Sequence, residues 1–161
     1  GREALGEVRA AVTGYRARGL DAELAGARVA LDAAGIDAEV HADPTDLRPE
    51  QESALAMAVR EAVTNVVRHA DAQRATISIT TVDTRVRLEV TDDGRGTSGQ
   101  EGSGLTGMRE RIAVLGGHVD VRQAGGGPEG RAERRGTVVE VTLPLVGTAN
   151  GERHAEQVGG R

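Results

Sequence analysis

The stretch Glu61-Ala62-Val63-Thr64-Asn65-Val66-Val67-Arg68-His69-Ala70 decides how the rest of the chain is read. It closes a strongly amphipathic pattern. Leu55, Val59, Ala62, Val63 and Val66 recur at the spacing of one helix face. Pro49 suits a first turn, where its missing N–H would have had no intrahelical partner. The pattern predicts a helix from Pro49 to near Ala70, with Asp71-Ala72-Gln73 leading out. Glu61 and Asn65 share a face of that helix, with Arg68 and His69 a turn further on. This polar stripe borders the apolar one, so it lies at the rim of the core. A carboxylate, a carboxamide oxygen and a cation suit a magnesium–phosphate site, because Mg2+ takes one or two protein oxygens and completes its shell with phosphates and water. Taken alone, the stripe is equally well a solvated helix edge.

Around this helix the pattern switches to period two. Ile36, Ala38 and Val40 alternate before it. After it, Ile77 and Ile79 alternate with Ser78 and Thr80, and Val86, Leu88 and Val90 with Arg87 and Glu89. Val119 and Val121 follow, and then Val139, Val141 and Leu143, closed by Pro144. A sheet with one apolar and one polar face implies a two-layer sandwich with helices on one side. Met108, Ile112 and Leu115 predict one further helix after a Gly-rich loop. Towards the N-terminus, Leu5, Val8, Val12 and Tyr15, then Leu20, Leu24 and Leu31, predict helical segments over about 2–17 and 20–34, broken near Gly19 and capped by Gly35. The Gly- and Arg-rich stretch 124–135 reads as a loop, and 147–161, with almost no apolar content, as disordered.

Two more segments carry chemistry. Asp92-Asp93-Gly94-Arg95-Gly96 follows directly on a strand. A carboxylate there can accept a hydrogen bond from an exocyclic amine such as adenine's, and glycines let backbone approach a flat ring. As a bare glycine turn the motif is weak. Gly102-Ser103-Gly104-Leu105-Thr106-Gly107-Met108 leads into a helix, where backbone N–H groups and the helix dipole favour an anion. It is neither a Walker loop, since the chain has no Lys, nor a dinucleotide-binding fingerprint. By itself it is indistinguishable from a linker.

Composition narrows the classes. There is no Cys, which excludes disulfides and thiolate chemistry and makes the cytoplasm the simplest expectation. The net charge of −5, one Tyr and no Phe or Trp argue against a nucleic-acid partner. No apolar run approaches the roughly 18–20 residues that span a bilayer, so no membrane contact is expected of this stretch. The opening Gly1-Arg2-Glu3 reads as the middle of a pattern, as expected of part of a longer protein.

The order and spacing of the three segments resemble those of the GHKL ATPases, and among them the catalytic domain of sensor histidine kinases, over about Ala34 to Leu145. Glu61–Ala70 resembles the asparagine box, Asp92–Gly96 and Gly102–Met108 the two glycine boxes, and Gly136-Thr137 the Gly-Thr element of the adenine pocket. The wording E-A-V-T-N-V-V-R-H-A, the short lid, G-L-T-G-M-R-E-R and the lack of Phe resemble kinases partnered by NarL/LuxR-type response regulators. E-A-L-G-E-V-R-A-A-V resembles the end of their second dimerisation helix.

The resemblance implies a Bergerat-type α/β (α+β) sandwich with a mixed, mostly antiparallel sheet. It divides the chain into a dimerisation-helix remnant and linker over 1–34, a catalytic domain over 35–146 and a tail over 147–161. It implies ATP and Mg2+ as cofactors, with Asn65 as the metal ligand, Glu61 as the catalytic base or polariser, and Arg68 or His69 facing phosphate. Asp92 would read the adenine amine, and Gly94, Gly96 and Thr137 would shape its pocket. Gly102, Gly104, Leu105, Thr106, Gly107 and Met108 would form the lid hinge and phosphate cradle.

The implied partners are the protein's own dimerisation domain, as a homodimer in the full-length kinase, and a response regulator. One departure stands out. None of His41, His69, His118 and His154 is followed by Asp or lies in the N-terminal helical stretch, so the phospho-accepting histidine is expected elsewhere and self-phosphorylation of this chain is not expected. A GHKL-type ATPase or regulatory nucleotide-binding module, and an anti-sigma-factor serine kinase, share the boxes and stay open as alternatives.

Overall fold

The computed structural model describes residues 19–96, 102–124 and 136–145. The N-terminal helical stretch 2–17, the body of the loop 124–135 and the tail 147–161 lie outside the described residues.

Helix α1 covers 19–33. It ends where the sequence requires: Gly35 adopts a left-handed φ of 77°, which costs a glycine nothing. The N–H of Ile36 then returns to the Leu31 carbonyl and that of Gly35 to the Asp32 carbonyl, both at 2.9 Å, the double bond of a glycine-terminated helix. Strand β1 (Asp37–Ala42) follows, and then helix α2 (Pro49–Asn65).

The first turn of α2 is held by its own buried polar pair. Gln51 accepts from the Arg48 N–H and donates to the Pro144 carbonyl, each at 2.9 Å, so its burial leaves both polar atoms satisfied. Glu52, also buried, accepts the Leu20 N–H at 2.9 Å. It therefore ties α2 to α1 through a backbone N–H.

The sheet comprises β1, β2 (Arg74–Val82), β3 (Arg85–Asp92), β4 (His118–Gln123) and β5 (Thr137–Pro144), in the order β1-β2-β3-β5-β4. The β1–β2 pair is parallel, joined by a crossover through α2, and the other three pairs are antiparallel. Helix α3 (Ser103–Val114) lies between β3 and β4 in the chain and packs on α2.

The inward residues of the strands, such as Ile77, Ile79, Leu88, Val141 and Leu143, join Leu55, Val59, Met108 and Ile112 in one core. Truncating a fully buried Leu55 or Ile112 to Ala would cost about 2–5 kcal/mol. On the outer face Glu89, Glu140 and Asp120 stand in one cross-strand row, and their like charges are bridged by Arg122 and Arg87.

One element differs from the sequence expectation in helix type and one in where it begins, and a third shows where it packs. The asparagine-box helix reaches Ala70 as expected, but its last turn, Val66–Ala70, is a wider π-helical one, stopped by Asp71 at a left-handed φ of 52°. The glycine-rich segment is helical from Ser103, so only Gly102 is left as the cap of α3. Finally, α1 shares the core through Leu20, Leu24, Ala27 and Leu31. Residues 19–33 therefore pack against the core of the sandwich.

Candidate functional site

The topology gathers the chemistry-bearing segments at one end of the sheet. Helix α2 exits there into β2, β3 ends there at Asp92, and β5 begins there at Thr137. Asp92 and Thr137 are direct cross-strand partners. Asp92 is buried, and its Oδ1 accepts the Gly94 N–H at 2.7 Å. Burial pushes the Asp92 carboxyl above its ordinary range and the neighbouring charge of Asp93 adds to this, while the backbone N–H groups of Gly94 and Thr137 work against it. A carboxylate kept at such a cost in a sheet core points to a ligand that uses it.

The turn after Asp92 is shaped by close backbone approach. Gly136 donates to the Gly94 carbonyl at 2.9 Å. A side chain at Gly136, which has a φ of 67°, would strike the Asp92 carbonyl, so the Gly-Thr element must begin with glycine. A Cβ at Gly96 would stand 3.1 Å from the Gly136 carbonyl. Asp92, Gly94, Gly96 and Thr137 thus meet at one tightly packed corner.

A second meeting point joins the asparagine box to the second glycine box. The Glu61 carboxylate lies against Gly104, in the first turn of α3. A helix N-terminus favours negative charge, and no acidic residue of α3 itself stands there. Asn65, one turn beyond Glu61, is half-buried and makes no capping hydrogen bond.

The remaining expected residues are dispersed. Leu105 and Met108 are buried and anchor α3 in the core, whereas Gly102, Thr106 and Gly107 are exposed. The Thr106 hydroxyl donates to the Gly102 carbonyl at 3.3 Å. Arg68 and His69 are exposed on the π-helical turn, and among the described residues neither is tied to the other boxes.

Two surface cavities, of about 440 and 520 Å³, are lined by α1, α2 as far as Arg60, Arg111 of α3, and the loop after β1 with Ala42 and Ile79 beside it. Neither includes Asn65 or Asp92, so chemistry rather than size marks the candidate site. One residue that sequence reading left without a role is Asp93. Its Oδ1 accepts the N–H groups of Gln73 and Arg74, at 2.8 and 3.0 Å. Nothing in the run Asp92-Asp93 distinguishes the two carboxylates until the strand ends and their directions part.

The family model described as histidine kinase-, DNA gyrase B- and HSP90-like ATPase matches residues 50–147. The chain belongs to this family. The matched span holds both glycine boxes, the asparagine box and the Gly-Thr element. Among curated relatives of this ATPase-family chain, the sensor histidine kinase YvfT of Bacillus subtilis is 31% identical over 149 residues, covering 90% of this chain and 38% of the relative. The sensor histidine kinase DesK of the same organism is 35% identical over 127 residues, covering 74% of this chain and 34% of the relative. The chain thus spans little more than a third of these relatives' length.

Among solved structures, the histidine kinase domain of a blue-light activated histidine kinase from Erythrobacter litoralis superposes with a TM-score of 0.62 at 22% identity, covering 76% of this chain and 62% of that one. The fold is therefore that of a histidine kinase catalytic domain, a mixed and mostly antiparallel sheet with its helices. Among the described residues no helix is long and apolar enough to cross a membrane.

Proposed function

We propose that this chain is the ATP-binding catalytic domain of a sensor histidine kinase. It holds ATP with Mg2+ and donates the γ-phosphoryl group to a histidine on the dimerisation domain of its parent protein. From there the group passes to a response regulator of NarL/LuxR type. The observation that supports this reading most is the buried Asp92 beside Thr137, at the sheet end where the Asn65 helix exits. The curated relatives, named sensor histidine kinases at 31% and 35% identity, favour it over the ATPase and serine-kinase readings of the same family.

In this reading Asp92 accepts the adenine amine, and Gly94, Gly96 and Thr137 bound the ring. The donors near Asn65 fit a magnesium ion: a carboxamide oxygen on Asn65, with the Glu61 carboxylate one turn away, is a hard oxygen set. Mg2+ completes its shell with phosphates and water, so one or two protein oxygens are enough to hold it. When bound, Mg2+ neutralises charge on the phosphate oxygens. Asn65 holds the ion, Glu61 polarises the acceptor side, and the first turn of α3, from Gly102 to Gly107, offers N–H groups to phosphate. Arg68 or His69 reaches the phosphates from the π-helical turn. Residues 1–34 carry the end of the second dimerisation helix and its linker, with 19–33 folded onto the catalytic domain.

Labelled ATP tests the division of labour. The chain alone takes up no acid-labile label. With a dimerisation domain supplied, label appears on that domain's histidine. Strong acid-labile labelling of the chain alone contradicts the reading.

A further inference from the structure

We propose that Asp93 is a positioning residue that latches the exit of the Asn65 helix to the turn carrying Asp92, so that the metal–phosphate end and the adenine end of the site keep one fixed separation. The proposal rests on the ATP-site reading above and assigns a residue that reading leaves idle.

The two adjacent carboxylates do different work. Successive side chains of a strand point to opposite sides. Asp92 turns inward and takes the Gly94 N–H. Asp93 turns the other way, and a single oxygen accepts two consecutive backbone N–H groups, those of Gln73 and Arg74. Its own N–H donates to the Arg74 carbonyl at 3.2 Å. The Gln73 carbonyl accepts in turn from the Asp37 N–H at 2.9 Å. The starts of β1 and β2 and the end of β3 are therefore knotted through residues 73, 74 and 93.

What the knot holds is a stretch of irregular backbone. Between Asn65 and Gln73 the chain makes the π-helical turn Val66–Ala70 and then the left-handed Asp71. Val66 and Ala72 pack in or against the core along this exit, and beyond the left-handed Asp71 the Asp93 carboxylate ties the chain to the end of β3 through the N–H groups of Gln73 and Arg74. Bonds to a charged acceptor are roughly twice as strong as neutral ones. Phosphoryl transfer depends mainly on placement, so a small drift of Asn65 relative to Asp92 would be felt by a nucleotide gripped at both ends. An Asn at 93 keeps an oxygen acceptor in the same place, whereas an Ala removes it.

The test uses the whole 161-residue chain with Asp93→Asn and Asp93→Ala. Amide hydrogen exchange is followed at Gln73, Arg74 and residues 66–70, and affinities are measured for Mg-ATP and for adenosine. In Asp93→Ala, exchange at those amides rises and Mg-ATP affinity falls, each by roughly tenfold, the size expected for lost bonds to a charged group. Adenosine, which reaches only one end, loses much less. Asp93→Asn, whose neutral oxygen still accepts both N–H groups, falls between Asp93→Ala and wild type in both readouts. The proposal is overturned if Asp93→Ala exchanges like wild type, if adenosine and Mg-ATP weaken equally, or if Asp93→Asn behaves like Asp93→Ala. A wild-type chain that binds no Mg-ATP contradicts the ATP-site reading instead, and the exchange rates still decide whether Asp93 holds the helix exit.

Discussion

The carboxylate of Glu61 occupies the space that any side chain at Gly104 would need. The contact joins the asparagine-box helix to the first turn of α3. It explains in steric terms why the second glycine box needs a glycine at a helical position, where glycine is otherwise a poor choice. Gly104→Ala therefore separates folding from chemistry. Alanine favours the helix by up to about 1 kcal/mol, and the Glu61 side chain can swing aside. The urea midpoint should equal or exceed that of wild type. Transfer to a supplied dimerisation domain should drop by about a hundredfold, the scale of a displaced acid–base group. Wild-type transfer in a folded Gly104→Ala chain would show that the Glu61 position does not matter.

Asp92 predicts a trade between stability and recognition. Burial raises its folded-state pKa, so its ionisation opposes folding at pH values above that raised pKa. The stability it withholds returns as pH falls and is fully present below its unfolded value. Asp92→Asn keeps an oxygen for the Gly94 N–H and removes the charge, so thermal melting at pH 7 should move up. The advantage should shrink steadily in acid and vanish near the ordinary carboxyl value of 3.8. ATP affinity moves oppositely, with the variant weaker than wild type and less able to reject GTP. A variant that melts below wild type at pH 7 would place the ionised Asp92 among the stabilising groups.

Much of this was legible in the sequence because it depends on periodicity. The apolar face of α2 and the alternation in β2, β3 and β5 are direct consequences of side-chain geometry, and the core confirms them at Leu55, Val59, Ile77, Leu88 and Val141. Gly35 was readable as a cap because glycine alone takes a left-handed φ without cost. The π-helical turn after Asn65 was not, since Val66-Val67-Arg68-His69-Ala70 has the composition of an ordinary helix end. Gln51 and Glu52 look like solvated first-turn residues, and their burial is decided by Pro144 and Leu20, each more than 30 positions away. Ser103 opens α3 despite three nearby glycines, because Leu105, Met108 and Ile112 bury against the core and tertiary packing overrides propensity. The meeting of Asp92 with Thr137 is a matter of strand register between segments far apart in sequence.

Glu52 carries a prediction about how α1 is attached. Glu52→Ala removes the acceptor that the buried Leu20 N–H uses, for a loss of about 1–2 kcal/mol in unfolding free energy. Hydrogen exchange should rise across the first turns of 19–33 while the amides of β3 and β5 stay protected. Glu52→Gln, which can still accept, should lose less. Uniform loss of protection across the sheet would mean that α1 does not open as a separate unit.

In the proposed site Asn65 and Asp92 grip opposite ends of one nucleotide. The most direct measurement is the affinity for ATP with and without Mg2+, for wild type and Asn65→Ala. Wild type should bind more tightly with Mg2+, and Asn65→Ala should lose most of that difference while retaining the weaker metal-free binding through Asp92. Binding that ignores Mg2+ in wild type, or an Asn65→Ala chain that responds to Mg2+ as wild type does, would contradict the site.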